Sequence, residues 1–312
     1  MQLLVGGLGF LGRHYRAYCF SRGLEITTIY RSPSDFVQKS VENFVSQEEF
    51  SRPSGDRLLR EANTVVYLAG RSNPGTFADR PWLEISENVE PALRFFTRCA
   101  AVNPLLKVIF ISSGGTIYGH VPGQSPISEN VEPAPISAYG LGKLMIEQAL
   151  QFIRRTTGLP FCILRVSNAV GRYHTSTTQG LLPIALRAVL EGRAIKIFGD
   201  GSQVRDYIDA DDVCSAIALA SEKRQFVDKI WNVGSNVGRS IIDIIGLIES
   251  ITGKTAKIES HPARAFDLSS VVLDTSRIQQ ELGWKPLRNL EQTVREILSE
   301  NNRNSSRPRE LI

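Results

Sequence analysis

The chain is poor in the residues that build metal centres and covalent staples. Its four cysteines, Cys19, Cys99, Cys162 and Cys214, are scattered through 312 residues, and so are its four histidines, His14, His120, His174 and His261. None stand at a ligand-pair spacing. Neither a metal site nor a disulfide framework is expected, and a reducing compartment fits better than a secreted one. Long hydrophobic runs are missing too: nothing approaches the roughly 20 apolar residues that cross a bilayer. The start, Met1-Gln2-Leu3-Leu4-Val5, meets glycines at once, without the basic leader and cleavage site of a signal peptide. A soluble, cytoplasmic protein without membrane insertion is the expectation. Nor is there a one-signed charge excess. Thirty-six basic against 32 acidic residues leave +4, too little for a nucleic-acid footprint. The basic residues are 27 Arg and 9 Lys, a bias toward fork-shaped anion contacts.

What is present is enough apolar material for a full core, at 42% hydrophobic over this length. Through residue 170, short apolar runs alternate with amphipathic stretches. Leu3 to Val5, Ile26 to Tyr30, Thr64 to Leu68, Lys107 to Ile111 and Phe161 to Val166 read as strands. Between them, helical spacing is expected over 12–21, 84–100 and 138–154. Apolar strands separated by helices predict an α/β fold, a parallel sheet covered on both faces. The stretch 31–60 is less legible, with one short strand expected near Phe44-Val45.

The expected organisation is a main α/β domain over 1–170, completed by elements from about 195–235. A smaller, interleaved lobe is expected over 171–298. A polar tail over 299–312, after a last helix ending near Ser299, is expected to be disordered.

Gly6, Gly9 and Gly12 stand three apart between the first strand and the first helix. A glycine turn there gives a tight bend, close approach of backbone to a pyrophosphate, and a helix N-terminus facing the anion. An acid that would hold an adenosine ribose is expected at the end of the second strand, and Tyr30-Arg31 stand there instead. Arg31 is suited to stack on adenine or meet a 2′-phosphate, which keeps NADP beside NAD. The alternative leaves Arg31 in solvent, with Ser32 or Asp35 on the ribose. Tyr139 and Lys143 are four apart near a helix start and face the same way. An ammonium beside a phenol, together with a cationic nicotinamide, favours the phenolate and equips the tyrosine as a base.

With these motifs stand Leu68-Ala69-Gly70, Asn88, Ser112-Ser113-Gly114-Gly115-Thr116-Ile117-Tyr118-Gly119, Leu164-Arg165-x-Ser167-Asn168-x-x-Gly171, Gly199-Asp200-Gly201-Ser202-x-Val204-Arg205-Asp206-Tyr207-Ile208 and Leu282-Gly283-Trp284-x-Pro286. Together, and in this order, they resemble the extended short-chain dehydrogenase/reductase family, in its branch of nucleotide-sugar epimerases and dehydratases. The resemblance covers residues 1 to about 298.

It implies a Rossmann-like sheet flanked by helices, with a smaller C-terminal lobe for a nucleoside-diphosphate sugar. Cofactor contacts are implied for Gly6, Gly9, Phe10, Leu11, Gly12, Arg31, Leu68, Ala69, Asn88, Tyr139 and Lys143. Tyr139 is the implied base and Lys143 its partner. Asn168, Arg205 and Arg264 are implied to hold the sugar nucleotide. For Arg205 the competing reading is an ion pair with Asp206 or Asp209. The family's catalytic hydroxyl falls on Gly114, so Ser113 or Thr116 must supply it. The acid pair of the dehydratases falls on Gly115 and Thr116, which argues against dehydration.

The expected activity is C4 epimerisation of a UDP-hexose through a 4-keto intermediate, with tightly bound NAD and no metal. The alternatives are an NADPH-dependent reductase of a nucleotide-linked keto sugar and a non-catalytic cofactor-binding regulatory protein. A homodimer is the expected assembly, and polysaccharide biosynthesis the expected setting.

Overall fold

The computed structural model describes the chain apart from residues 32–42, 122, 124–125, 175, 177–178, 224, 226, 264–267 and 306–312. Its strands, in chain order, are β1 (Gln2–Val5), β2 (Ile26–Tyr30), β3 (Asn43–Ser46), β4 (Thr64–Tyr67), β5 (Lys107–Ser113), β6 (Phe161–Val166) and β7 (Asn168–Val170). They continue as β8 (Ala194–Phe198), β9 (Val204–Asp209), β10 (Lys229–Val233), β11 (Gly238–Ser240), β12 (Lys257–His261) and β13 (Ser270–Val271).

Seven of them form one parallel sheet in the order β10-β6-β5-β4-β1-β2-β3. The winding reverses between β1 and β4, where Leu4 is paired with Thr28 on one side and Val66 on the other. A crevice opens at the carboxyl ends of strands at such a reversal. Alternate residues feed two cores. Leu4, Val66, Ile109 and Leu164 pack with the helix Ala210–Glu222 on one face. Leu3, Val65, Val108 and Ile163 pack with the helices Glu90–Val102 and Ala138–Thr157 on the other. Both faces are dry, which is why these strands are apolar throughout.

The remaining strands build the lobe. β8 and β12 pair in parallel, and β9 lies between β11 and β13 and also pairs with β7. The segment 195–235 therefore divides: β10 and Ala210–Glu222 complete the main body, while β8 belongs to the lobe. Its burial pattern gives the reason. Ile195 and Ile197 are buried and Ala194 and Lys196 exposed, the alternation of a sheet wet on one face. Conversely, Ile278, Leu282 and Trp284 join Leu4 and Val66 in a main core, although the sequence reading placed them in the lobe.

Two helices also differ from expectation. The run expected over 84–100 is broken: a turn at Trp82–Glu84 passes into a π turn at Ile85–Val89 before the helix Glu90–Val102. Pro91, with no N–H to return to the preceding turn, stands just beyond the break. The last helix continues to Ser305 rather than ending near Ser299.

Candidate active site

The glycine turn is built as its spacing implies. Gly6 has φ +84°, and a Cβ on it would lie 2.7 Å from Ala69 N. One on Gly12 would lie 2.5 Å from Gly7 Cα. Neither position tolerates a side chain, so backbone packs on backbone. Gly9 caps the helix Phe10–Ser21 with extended backbone and no side-chain bond, which leaves the first amides turned outward for an anion.

A cleft of about 880 Å³ runs from this turn across the carboxyl ends of β1, β2 and β4. Gly6, Gly9, Tyr30, Arg31, Leu68, Ala69 and Asn88 all line it. Asn88 is buried; its Oδ1 accepts from Arg71 N at 2.7 Å and its Nδ2 donates to Ser72 Oγ at 3.0 Å, fixing the loop after β4. Tyr30 packs edge-on to Phe44, and Arg31 is exposed on the rim. Ser32 and Asp35, the other ribose candidates, lie outside the described residues. The backbone cradle and free helix amides fit a dinucleotide.

Tyr139 and Lys143 project from the helix Ala138–Thr157, whose Ser137 cap accepts from Gly140 N. Lys143 Nζ donates to Ile111 O at 2.9 Å and stands 5.6 Å from the Tyr139 ring centre. Burial raises the phenol to about 12; a hydrogen bond with Ser113 pulls the other way, and the charge of Glu84 adds to the rise. Burial also lowers Lys143 to about 8, against the upward pull of Glu84 and Glu147. Ser113 ends β5 against Val166 of β6, beside the phenol.

Thr116 Oγ1 lies nearby, buried and without a partner, as does Ser167 Oγ. Of the two hydroxyls left open by the sequence, Ser113 is the one that acts on the Tyr139 phenol, drawing its pKa down. Gly114 has a steric reason. A Cβ there would stand 2.4 Å from Leu273 Cδ1 and 2.9 Å from Arg165 O.

A second cavity, about 1030 Å³, begins at Ser113, Thr116 and Tyr139 and extends between the main sheet and the lobe past Asn168 to Arg205 and Phe198. None of its described lining residues is Asp or Glu, whereas Arg13, Arg193, Lys196 and Arg205 all contribute. Asn168 opens β7 and donates from Nδ2 to Asp206 O at 3.0 Å. Arg205 is half-buried, and Nη1 donates to the carbonyls of Val204 and Leu268, each at 2.8 Å.

The acids offered as its alternative partners are engaged elsewhere. Asp206 accepts from Ser235 Oγ and the Ser235 and Asn236 amides. Asp209 accepts from Thr293 Oγ1 and pairs with Arg288. Arg264 lies outside the described residues. The reading from sequence missed Glu84, buried next to the Tyr139–Lys143 pair, since a lone Glu in a helical run carries no pattern of its own, and gave no role to Ser167 although it stands in the Leu164–Gly171 motif.

A dinucleotide crevice meeting a half-buried tyrosine–lysine pair, with a cavity lined by basic side chains beyond, defines a nucleotide-dependent enzyme of the extended Rossmann type. The model of the NAD dependent epimerase/dehydratase family matches residues 2–234, and the chain belongs to that family. It is 30% identical over 317 residues to the UDP-glucose 4-epimerase of Corynebacterium glutamicum, covering 92% of this chain and 91% of that protein. It also superposes on the crystal structure of the Thermotoga maritima UDP-glucose 4-epimerase with UDP-glucose, at TM-score 0.86 and 28% identity, over 98% of this chain and 100% of the other. The Thermus thermophilus UDP-glucose 4-epimerase in complex with NAD is similar at TM-score 0.85 and 27% identity, over 97% and 99% of the two chains.

Proposed function

We propose that the protein interconverts the C4 epimers of a UDP-hexose using firmly held NAD. The observation that carries this reading is the cavity running from Tyr139 to Arg205, lined by Arg13, Arg205 and, paired with Glu191 and Glu259, by Arg193 and Lys196, with no carboxylate among its described lining residues. Such a lining suits a diphosphate, with the sugar at the tyrosine end.

Ser113 draws the pKa of the Tyr139 phenol down, and the Lys143 ammonium, 5.6 Å from the ring centre, favours the phenolate that takes the proton from the C4 hydroxyl. Bound NAD supplies the acceptor and donor of the C4 hydride. Asn168, Arg205 and Arg13 grip the nucleotide diphosphate, while Gly115 and the unpartnered Thr116 and Ser167 hydroxyls leave the hexose room to turn and present its other face. The chain contacts assigned to the cofactor are Gly6, Gly9, Phe10, Leu11 and Gly12 at the pyrophosphate. Leu68, Ala69, Asn88 and Arg31 line the rest of its cleft.

The assembly we assign is a homodimer. Exposed Leu93, Leu141 and Phe152 on the paired helices Glu90–Val102 and Ala138–Thr157 support it. No helix among the described residues is long and apolar enough to cross a membrane, and we place the protein in the cytoplasm with its nucleotide-sugar substrate.

The test is incubation with UDP-glucose, UDP-galactose and their N-acetylated forms without external reductant, followed by proton NMR. Epimer formation with no net consumption of cofactor is expected. Turnover of a 4-keto sugar only when NADPH is added, with no epimer from any substrate, would favour the reductase reading that Arg31 supports.

A further inference from the structure

Glu84 is 3% exposed, and its Oε2 has no hydrogen-bond partner. It ends the short turn that leads into the π turn Ile85–Val89, and it lies against the catalytic helix where Gly142 leaves space. A Cβ on Gly142 would stand 2.5 Å from Glu84 Cγ and from Oε1. Gly142 is three residues after Tyr139 and one before Lys143, so the carboxylate is set into the helix surface on the Tyr139 side and acts electrostatically on both.

Burying an ionised carboxylate is costly unless a cation answers it. The other acid near this place is already answered: Glu147 takes a two-pronged bond from Arg165, at 3.1 and 2.7 Å, with the pair 0% and 5% exposed. Arg165 and Glu147 cancel. Among the described residues, that leaves Lys143 and Glu84 to answer each other beside the helix.

We propose that Glu84 is the counter-ion of Lys143, a positioning residue that keeps the lysine an ammonium beside Tyr139. The charged and titratable groups around Lys143 are Tyr139 and Glu147 on its own helix, Glu84 on the turn before Glu90–Val102, and Arg165 of β6 through Glu147. Burial pulls Lys143 down to about 8, and Glu84 is the larger of the two carboxylate pulls in the other direction. Removing Glu84 removes an upward pull, so the ammonium is lost at a lower pH. Losing the carboxylate also lifts its upward push on the Tyr139 phenol, which moves the acid limb down, while a neutral amine no longer stabilises the phenolate and activity fails first on the alkaline side. E84Q keeps the shape of the side chain and deletes the charge.

The inference rests on Tyr139 and Lys143 being the reacting pair, and the test separates the two. In the full-length protein with its NAD, E84Q, K143M and the double variant are melted without substrate. The kcat/KM profile against pH is then recorded for wild type, E84Q and E84D. E84Q should melt about 5 °C or more below wild type at pH 7, and the double variant should regain most of that loss, because the uncompensated charge is gone. The alkaline midpoint should fall by about one pH unit in E84Q, with E84D between the two.

Additive losses of stability, or an E84Q defect equal at every pH, would overturn the assignment by making Glu84 a packing residue. If E84Q does not fold, a soluble E84Q/K143M upholds the pairing and an insoluble one refutes it. An inactive wild-type enzyme counts against the reacting pair alone, since the melting cycle still decides the counter-ion.

Discussion

Gly114 occupies the place where the family's catalytic hydroxyl is expected, and restoring that hydroxyl should harm this protein. In G114S the new Cβ would stand 2.4 Å from Leu273 Cδ1, 3.1 Å from Cδ2 and 2.9 Å from Arg165 O. The carbonyl is backbone of a central strand and cannot retreat. Leu273 is fully buried among Ile117, Tyr118, Ile127 and Val271, so it has no solvent to swing into. Overpacking of this kind costs about 1–3 kcal/mol. At about 2–4 °C per kcal/mol, the value for domains of about 150–250 residues, melting should fall by about 2–12 °C.

G114A should lose nearly as much, because the clash belongs to Cβ and not to the hydroxyl. Turnover should not rise in either variant. In L273A the leucine's share of the obstruction is gone while Arg165 O remains, and G114S should cost less in that background than in wild type, a coupling between touching residues. Thermal melts of the four proteins, with epimerisation followed by NMR, measure all of this. A G114S protein that melts with wild type and turns over faster would refute the reasoning.

Three other outcomes are expected. S113A should slow turnover more than T116A, because Ser113 draws the Tyr139 pKa down; equal losses in steady-state kinetics would remove that distinction. Y139F should fold and retain NAD yet lose about 10²-fold or more in turnover, judged by melting, released-nucleotide analysis and NMR. R205A should raise the KM for UDP-sugar at least about tenfold while the nucleotide recovered from denatured protein stays the same by mass, since charge-assisted bonds to the diphosphate are its proposed role.

The legible parts of the fold were those written in two-sided burial. Val108, Ile109 and Phe110 are apolar because both faces of β5 are covered, and the glycine turn and the Tyr139–Lys143 spacing are local in sequence. β3 was found at Asn43–Ser46, about the expected Phe44-Val45, but nothing local announces β7, β11 or β13. These are two or three residues long and exist by pairing with β9. β8 was read as part of the main sheet because its run Ile-Lys-Ile-Phe resembles a strand of any sheet; only the exposure of Lys196 shows which one.

The choice of Ser113 over Thr116 depends on which hydroxyl faces the phenol, a matter of turn geometry. Glu84 was invisible for a related reason. Its meaning comes from Gly142, 58 positions later, whose missing side chain leaves it a place.

The order of synthesis gives the Trp284 packing a further consequence. Trp284 and Ile278 fill the same core as Leu4 and Val66, and the indole donates to Ser215 Oγ at 2.8 Å. On the ribosome, β1 and β4 emerge first and must wait for nearly the whole chain before that face of their sheet is sealed. Until then its apolar surface is open to wrong partners. A nascent chain halted after β6 should therefore engage chaperones instead of folding by itself, and a fragment ending at residue 170 should not yield a free-standing cofactor-binding unit.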